Sequence, residues 1–201
     1  MIRILLAEDQ ALVRGALAAL LRLESDLAIV AEVARGDAVV PTALATHPDI
    51  ALLDIEMPGG GGLAAARALH AQLPACRIIM VTTFGRSGYL RQAMEGGAVG
   101  FLLKDAPPSD LVAAIHRVHA GGKVVDPELA MTALSAGPNP LTDRERAVLA
   151  AALDGGSIAV IAARIALAEG TVRNHLSLAM HKLGAQNRME AARRAEQQGW
   201  L

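Results

Sequence analysis

Five polar residues stand where short apolar runs end: Glu8 and Asp9 after IRILLA, Asp54 after IALL, Thr82 after RIIMV and Lys104 after VGFLL. If these runs are parallel strands of one open α/β sheet, their carboxyl ends border a common crevice, where such sheets bind ligands. Three carboxylates, a hydroxyl and an ammonium meeting there suit a divalent cation and a phosphoryl group. Asp54 is the candidate nucleophile, because a carboxylate can attack a phosphoryl donor and hold the group as an acyl phosphate. The obstacle is charge, since one anion must approach another. Mg²⁺ relieves it by bridging carboxylates and phosphoryl oxygens, typically through one or two carboxylates with several retained waters. Asp9 and Asp54 are the expected direct ligands, with the backbone carbonyl of Glu56 as a third and Glu8 holding a metal-bound water. Lys104 would meet the charge on the phosphoryl oxygens, and Thr82 would offer them a hydroxyl. Each residue also has a plainer reading. An Asp at a strand end is usually a turn former or cap, a Thr a structural hydroxyl, a Lys a solvated charge. Their joint placement at strand ends, in order, is what favours chemistry.

The elements that must position these residues follow from the apolar pattern. Strands are expected at 2–7, 27–33, 49–53, 77–82 and 99–103, and helices at 11–22, 36–46, 62–72, 87–95 and 108–120. Five strand–helix repeats in about 120 residues imply a doubly wound, five-stranded parallel sheet. Runs such as Ile50–Leu53 and Ile78–Val81 are apolar on both faces, as in strands covered by helices on both sides. Hydrophobic residues make up 53% of the 201-residue chain and aromatic residues only 2%, so Ala, Leu, Val and Ile must build the core. No apolar run approaches the roughly 20 residues of a membrane span, and the chain enters a strand pattern at once, without a signal-peptide pattern. The single cysteine, Cys76, rules out an internal disulfide and reads as an inert thiol. A reduced, cytoplasmic setting fits.

After Gly121-Gly122 the strand–helix pattern breaks. A short helix is expected over 127–134, opening on Pro127, and Ser135–Pro140 reads as a linker. From Leu141 onward the pattern is helical throughout: 142–154, 158–165, 169–183 and 188–197. Thr142 and Glu145 make a capping-box pair at the first of these. Helices 158–165 and 169–183, joined by a short turn, suit a helix-turn-helix. Val172, Leu176, Ala179 and Leu183 share one face by three-and-four spacing. Thr171, Arg173, Asn174, Ser177, Met180 and His181 are left largely outward. Arg and Asn are the types that read guanine and adenine edges in the major groove. Residues 1–130 carry 11 Lys and Arg against 14 Asp and Glu, whereas residues 141–201 carry 8 against 6. This asymmetry is slight, and an amphipathic helix with a solvated polar face would show the same spacing.

Residues 1–122 resemble the receiver domain of two-component response regulators through Ala7-Glu8-Asp9-Gln10, Leu53-Asp54-Ile55-Glu56-Met57-Pro58-Gly59, Val81-Thr82-Thr83 and Gly100-Phe101-Leu102-Leu103-Lys104. The resemblance implies a flavodoxin-like fold and phosphorylation of Asp54 by a histidine kinase with Mg²⁺. It also implies a switch in which Thr82 turns toward the phosphoryl group and Phe101 swings inward behind it. Residues 141–201 resemble the LuxR-type four-helix domain of the NarL/FixJ class through Leu141-Thr142 with Arg144-Glu145, Gly170–His175, Lys182-Leu183-Gly184 and Asn187-Arg188. By that resemblance Arg173, Asn174 and Ser177 face bases, while Thr171, Lys182 and Arg188 hold phosphates. Helix 188–197, and in the receiver helices 11–22 and 108–120, are the implied dimer contacts. The segments Thr82-Thr83-Phe84, Lys104–Pro108 and Gln186-Asn187-Arg188 are similar to the DesR branch. Residues 123–140 would link the two domains.

Departures from the family pattern carry expectations of their own. Gly60-Gly61 stand where an Asp commonly caps the next helix. Asp105, not proline, follows Lys104, which disfavours a cis bond there. Ala168 stands where a Ser often caps the recognition helix, and Val160 where relatives are often acidic. Glu56 and Phe84 flank the crevice. Glu56, two residues after the nucleophile, would also suit a phosphotransferase with an aspartyl intermediate, but the domain pairing implies a regulator, not an enzyme. The expected molecule is a phosphorylation-switched transcriptional regulator that dimerises on promoter DNA. The alternative is the same fold acting independently of phosphorylation.

Overall fold

The protein is described by a computed structural model covering residues 1–83, 85, 87–127, 129–131 and 139–201. They divide into two compact units, one holding Met1–Gly85 and Tyr89–Met131, the other grouping Ser87 and Gly88 with the chain from residue 139 onward. Phe84, part of the helix expected over 127–134 and most of the linker lie outside the described residues. Pro127 and residues 129–131 are helical.

In the N-terminal unit the strands are β1 (Ile2–Ala7), β2 (Leu27–Val33), β3 (Ile50–Leu53), β4 (Arg77–Thr82), β5 (Gly100–Leu103) and β6 (Val124–Val125). They pair in parallel in the order β2-β1-β3-β4-β5-β6. The helices are α1 (Ala11–Leu21), α2 (Val39–Thr46), α3 (Gly61–Gln72), α4 (Ser87–Glu95) and α5 (Pro108–His119), with a 3₁₀ turn at Gly36–Ala38 leading into α2. The expected five-stranded sheet is corrected to six. Val124 and Val125 pair with Gly100 and Phe101, two β-branched residues too few to show an alternating pattern beyond Gly121-Gly122. Leu52, Leu53, Ile78, Ile79 and Met80 are all but fully buried, as strands covered on both faces require. Cys76 is buried and unpaired. Burial, with a smaller contribution from Asp49, pushes its thiol up to about 12, so it is protonated and unreactive at neutral pH.

The C-terminal unit carries α6 (Asp143–Ala152), α7 (Ile158–Arg164), α8 (Glu169–Leu183) and α9 (Arg188–Gln197). Val148, Leu149, Ile161, Val172, Leu176, Leu183 and Ala191 meet in its core. The capping box forms as the sequence reads: Glu145 N–H donates to Thr142 Oγ1 at 3.3 Å, and Thr142 N–H donates to Glu145 Oε2 at 2.7 Å. α7 and α8 both end in a Schellman pattern. Leu167 N–H bonds the Ala162 carbonyl and Ala166 N–H that of Ala163; Ala185 N–H bonds Met180 and Gly184 N–H bonds His181. The left-handed residue is Gly184 in one and Ala166, at φ 52°, in the other.

The cap of α8 is Ala168, with no side-chain hydrogen bond, so an orphan N–H of the first turn lacks the partner a hydroxyl would give. Ala168→Ser is expected to stabilise the C-terminal unit by about 1 kcal/mol, read as a rise in denaturant midpoint at unchanged slope.

Candidate functional site

Register explains how residues far apart in sequence meet. Ala7 pairs with Leu53 across β1 and β3, and Thr82 pairs with Leu103 across β4 and β5. The ladders run one residue further: Asp54 N–H bonds the Ala7 carbonyl at 2.9 Å and Lys104 N–H bonds the Thr82 carbonyl at 2.8 Å. Glu8 and Asp54 therefore occupy adjoining strand tips, and Lys104 stands at the tip of β5, one strand beyond β4. The Lys104 ammonium lies 2.7 Å from Glu8 Oε2 and 3.0 Å from Asp54 Oδ2. Asp54 Oδ1 accepts from the Ile55 N–H at 2.7 Å. Glu8 and Asp54 are buried, whereas Asp9 is exposed. Carboxylate oxygens of all three lie within 4.8 Å of one another.

Two carboxylates this close and this buried need a compensating cation, and Lys104 is that cation. Burial works against its ammonium, but hydrogen bonds and attraction from Glu8 and Asp54 prevail and hold it above the ordinary lysine range. Thr82 is fully buried as the last residue of β4, and Phe101 is fully enclosed. Glu56 is exposed; its carboxylate accepts from the Tyr89 hydroxyl at 3.4 Å.

The glycines around Asp54 are steric requirements. A Cβ on Gly62 would lie 1.8 Å from the Asp54 carbonyl oxygen, and one on Gly36 would lie 2.7 Å from that of Gly61. Gly59, Gly60 and Gly61 all have left-handed φ, and α3 starts at Gly60 with no side-chain cap, as expected from the missing Asp. No cis peptide is present among the described residues, so Asp105 follows Lys104 through a trans bond.

In the C-terminal unit α8 buries Val172, Leu176, Ala179 and Leu183, the face read from spacing. Thr171, Arg173, Asn174 and Ser177 are exposed, and Arg188 at the start of α9 is half-buried. Met180, expected outward, is half-buried and packs against the core. A flexible thioether fills the gap beside the core helices. Arg173 pairs with Glu169 one turn earlier, at 2.6 Å. Lys182 lies 2.8 Å from the buried carboxylate of Glu145.

Besides the Tyr89–Glu56 bond, two contacts were not legible in the sequence. The Glu145 carboxylate serves the cap of α6 and anchors the last turn of α8 through Lys182. Burial would raise its pKa, but its bonds to Lys182 and Thr142 hold it below the usual carboxylate range. Arg14 donates to the Glu8 carbonyl oxygen at 2.6 Å, a reach of six residues that no local motif encodes.

Known proteins share this arrangement. Residues 4–116 match the response regulator receiver domain, and residues 139–195 match the bacterial regulatory proteins of the luxR family. The transcriptional regulatory protein DesR of Bacillus subtilis is 43% identical over 201 residues, covering 100% of both chains. UhpA, a transcriptional regulatory protein of Escherichia coli, is 37% identical over 96% of this chain and 97% of its own. The crystal structure of ChrA, the response regulator of a heme-sensing two-component system, is 33% identical. It covers 100% of this chain and 98% of its own, with a TM-score of 0.58. No helix among the described residues is long and apolar enough to cross a membrane. The chain belongs to the response regulators of two-component systems, a receiver domain joined to a LuxR-family DNA-binding domain that serves transcription regulation.

Proposed function

We propose that this chain is a transcriptional regulator switched by phosphorylation of Asp54. A histidine kinase would donate the phosphoryl group, and a homodimer would carry the signal to promoter DNA. The observation that carries this reading is the Lys104 ammonium seated between Glu8 and Asp54 at the strand tips. Lys104 is, in this reading, the cation that meets the incoming phosphoryl group. In this reading the receiver spans 1–122, a linker 123–140 and the DNA-binding domain 141–201. The buried, unpaired Cys76 suits a reducing cytoplasm.

The donor set fits Mg²⁺. Hard carboxylate oxygens from Glu8, Asp9 and Asp54 lie within 4.8 Å of one another, the kind of ligand this ion takes. Asp9, Asp54 and the Glu56 backbone carbonyl would hold it, with Glu8 reached through water. When bound, the ion would offset the negative charge of the incoming phosphoryl group. The protein's own residues do the rest. Asp54 Oδ2 forms the new bond to phosphorus while the phosphorus–nitrogen bond to the kinase histidine breaks, and that imidazole leaves with the bonding pair. Ile55 N–H keeps Oδ1 in place. Lys104 moves from the two carboxylates to a phosphoryl oxygen, and the Thr82 hydroxyl donates to another. Phe101, three residues before Lys104, is the switch aromatic by the family resemblance, and its side chain is already enclosed here.

Phosphorylated receivers would pair through α1 and α5. Leu12 on α1 is 86% exposed, an apolar side chain that such a contact would cover. Arg173, Asn174 and Ser177 would face bases; Thr171, Arg188 and, beyond its bond to Glu145, Lys182 would meet phosphates. Phosphate contacts position a protein on DNA, and base contacts specify the site. Two-fold symmetry sets half-sites about 10 bp apart, with α9 as the contact between DNA-binding domains.

The full chain is tested by light scattering and promoter binding before and after acetyl phosphate with Mg²⁺. A monomer that becomes a dimer, with tighter binding, is expected. A dimer of unchanged affinity from the outset would instead establish regulation independent of phosphorylation.

A further inference from the structure

Glu8 and Asp9 sit in the turn between β1 and α1, and that turn has little local support. The cap residue of α1 is Gln10, whose side chain makes no cap hydrogen bond, and the first turn of the helix holds no acidic residue. Glu8 Oε1 accepts from the Gln10 N–H at a long 3.2 Å, while the other oxygen is drawn to Lys104. The Glu8 N–H is tied to β2 through the Val33 carbonyl at 3.0 Å, which leaves the carbonyl side of this backbone to be held.

Arg14 holds that side from within α1. Its Nη1 donates to the Glu8 carbonyl oxygen at 2.6 Å and reaches that of Asp9 at 3.4 Å. The guanidinium is held in turn from β2. Its Nε lies 4.0 Å from Glu32 Oε2, and Glu32 Oε1 lies 2.8 Å from Arg22. A planar guanidinium with several donors in a rigid fork can serve two carbonyls and a carboxylate together, which a lysine cannot.

The geometry points to Arg14 as the positioning residue of the acid pair: it fixes the β1–α1 backbone so that Glu8 and Asp9 face Asp54. It touches neither carboxylate and acts only through their main-chain carbonyls. This role rests on the Mg²⁺ site of the proposed function. Without Arg14 the turn would sample other conformations, and the ion would have to order it on binding. Partners that orient metal ligands in this way typically contribute 10- to 100-fold in affinity.

The test is calorimetric titration of the full chain with Mg²⁺ alone, without phosphodonor, alongside thermal unfolding in its absence. Arg14→Met is expected to weaken Mg²⁺ binding about tenfold, and Arg14→Lys, which keeps one donor, to weaken it measurably but by less. A lower unfolding midpoint with Mg²⁺ affinity unchanged would reduce Arg14 to a structural residue and overturn the inference. Should Arg14→Met not fold, Arg14→Lys decides alone, and parental affinity overturns the role. A parent chain that takes up no Mg²⁺ refutes the proposed metal site itself.

Discussion

Asp54→Ala is expected to accept no phosphoryl group from acetyl phosphate and Mg²⁺, where the parent chain gains one. The other acids of the crevice cannot take over. Glu8 is bound by Lys104 and the Gln10 N–H, and Asp9 is exposed to solvent, away from any cation that the structure fixes on it. Asp54 has one oxygen pinned by the Ile55 N–H at 2.7 Å and the other 3.0 Å from the ammonium, whereas Glu8, held in the same manner, is tied by the closer contact to Lys104 at 2.7 Å. Intact-mass spectrometry reads the result, and label persisting on Asp54→Ala would refute the site. Lys104→Met separates nucleophile from cation. It keeps the carboxylate but removes the charge that meets the phosphoryl oxygens, and labelling is expected to slow by about 10²- to 10³-fold. The same bridge predicts a pH dependence. Because the folded protein holds Lys104 above its ordinary range, the stability it contributes is fully present below that range. It is lost as pH rises through the folded value. Alkaline titration of unfolding should show this loss in the parent chain and not in Lys104→Met.

The convergence of Glu8, Asp54 and Lys104 was legible because parallel strands end at one edge of the sheet, so each of these residues follows an apolar run. The register of Ala7 with Leu53 and Thr82 with Leu103 turns that serial pattern into one crevice. Capping residues were legible for a similar reason: Thr142 with Glu145 and the bare Ala168 are local signals that the chain obeys locally. What the sequence hid are long side chains whose reach is set by the fold. Arg14 bends back to a carbonyl, Lys182 crosses to Glu145 and Tyr89 meets Glu56. Each partner lies on another element or turn, and nothing in spacing distinguishes these residues from solvated ones. β6 was missed because two residues carry no period. Met180 was placed outward because a helical face counts angle, whereas a long flexible side chain fills space.

Gly62→Ala is expected to destabilise the receiver by more than about 3 kcal/mol, at the upper end of the range for overpacking. A methyl at Gly62 would fall 1.8 Å from the carbonyl oxygen of Asp54 and 2.8 Å from its carbon. Both are backbone atoms, so no rotamer change relieves the clash. Gly62 N–H also bonds the Ile55 carbonyl at 2.8 Å, which brings the start of α3 against the segment that carries the nucleophile. Relief requires either that α3 lift away or that Asp54 shift. The first would open the core where Ala65, Ala66 and Leu69 are buried. The second would move Oδ2 from Lys104. The variant should therefore lose denaturant midpoint and labelling rate together. Gly60→Ala provides the contrast: nothing lies within 4 Å of its added methyl, and only its left-handed φ of 93° resists the change. Gly60→Ala should lose stability through backbone strain of about 1 to 2 kcal/mol, with Asp54 still labelled at a rate close to that of the parent. Equal losses in both variants would show that the loop's conformation, not the close approach of α3 to Asp54, is what the glycine run protects.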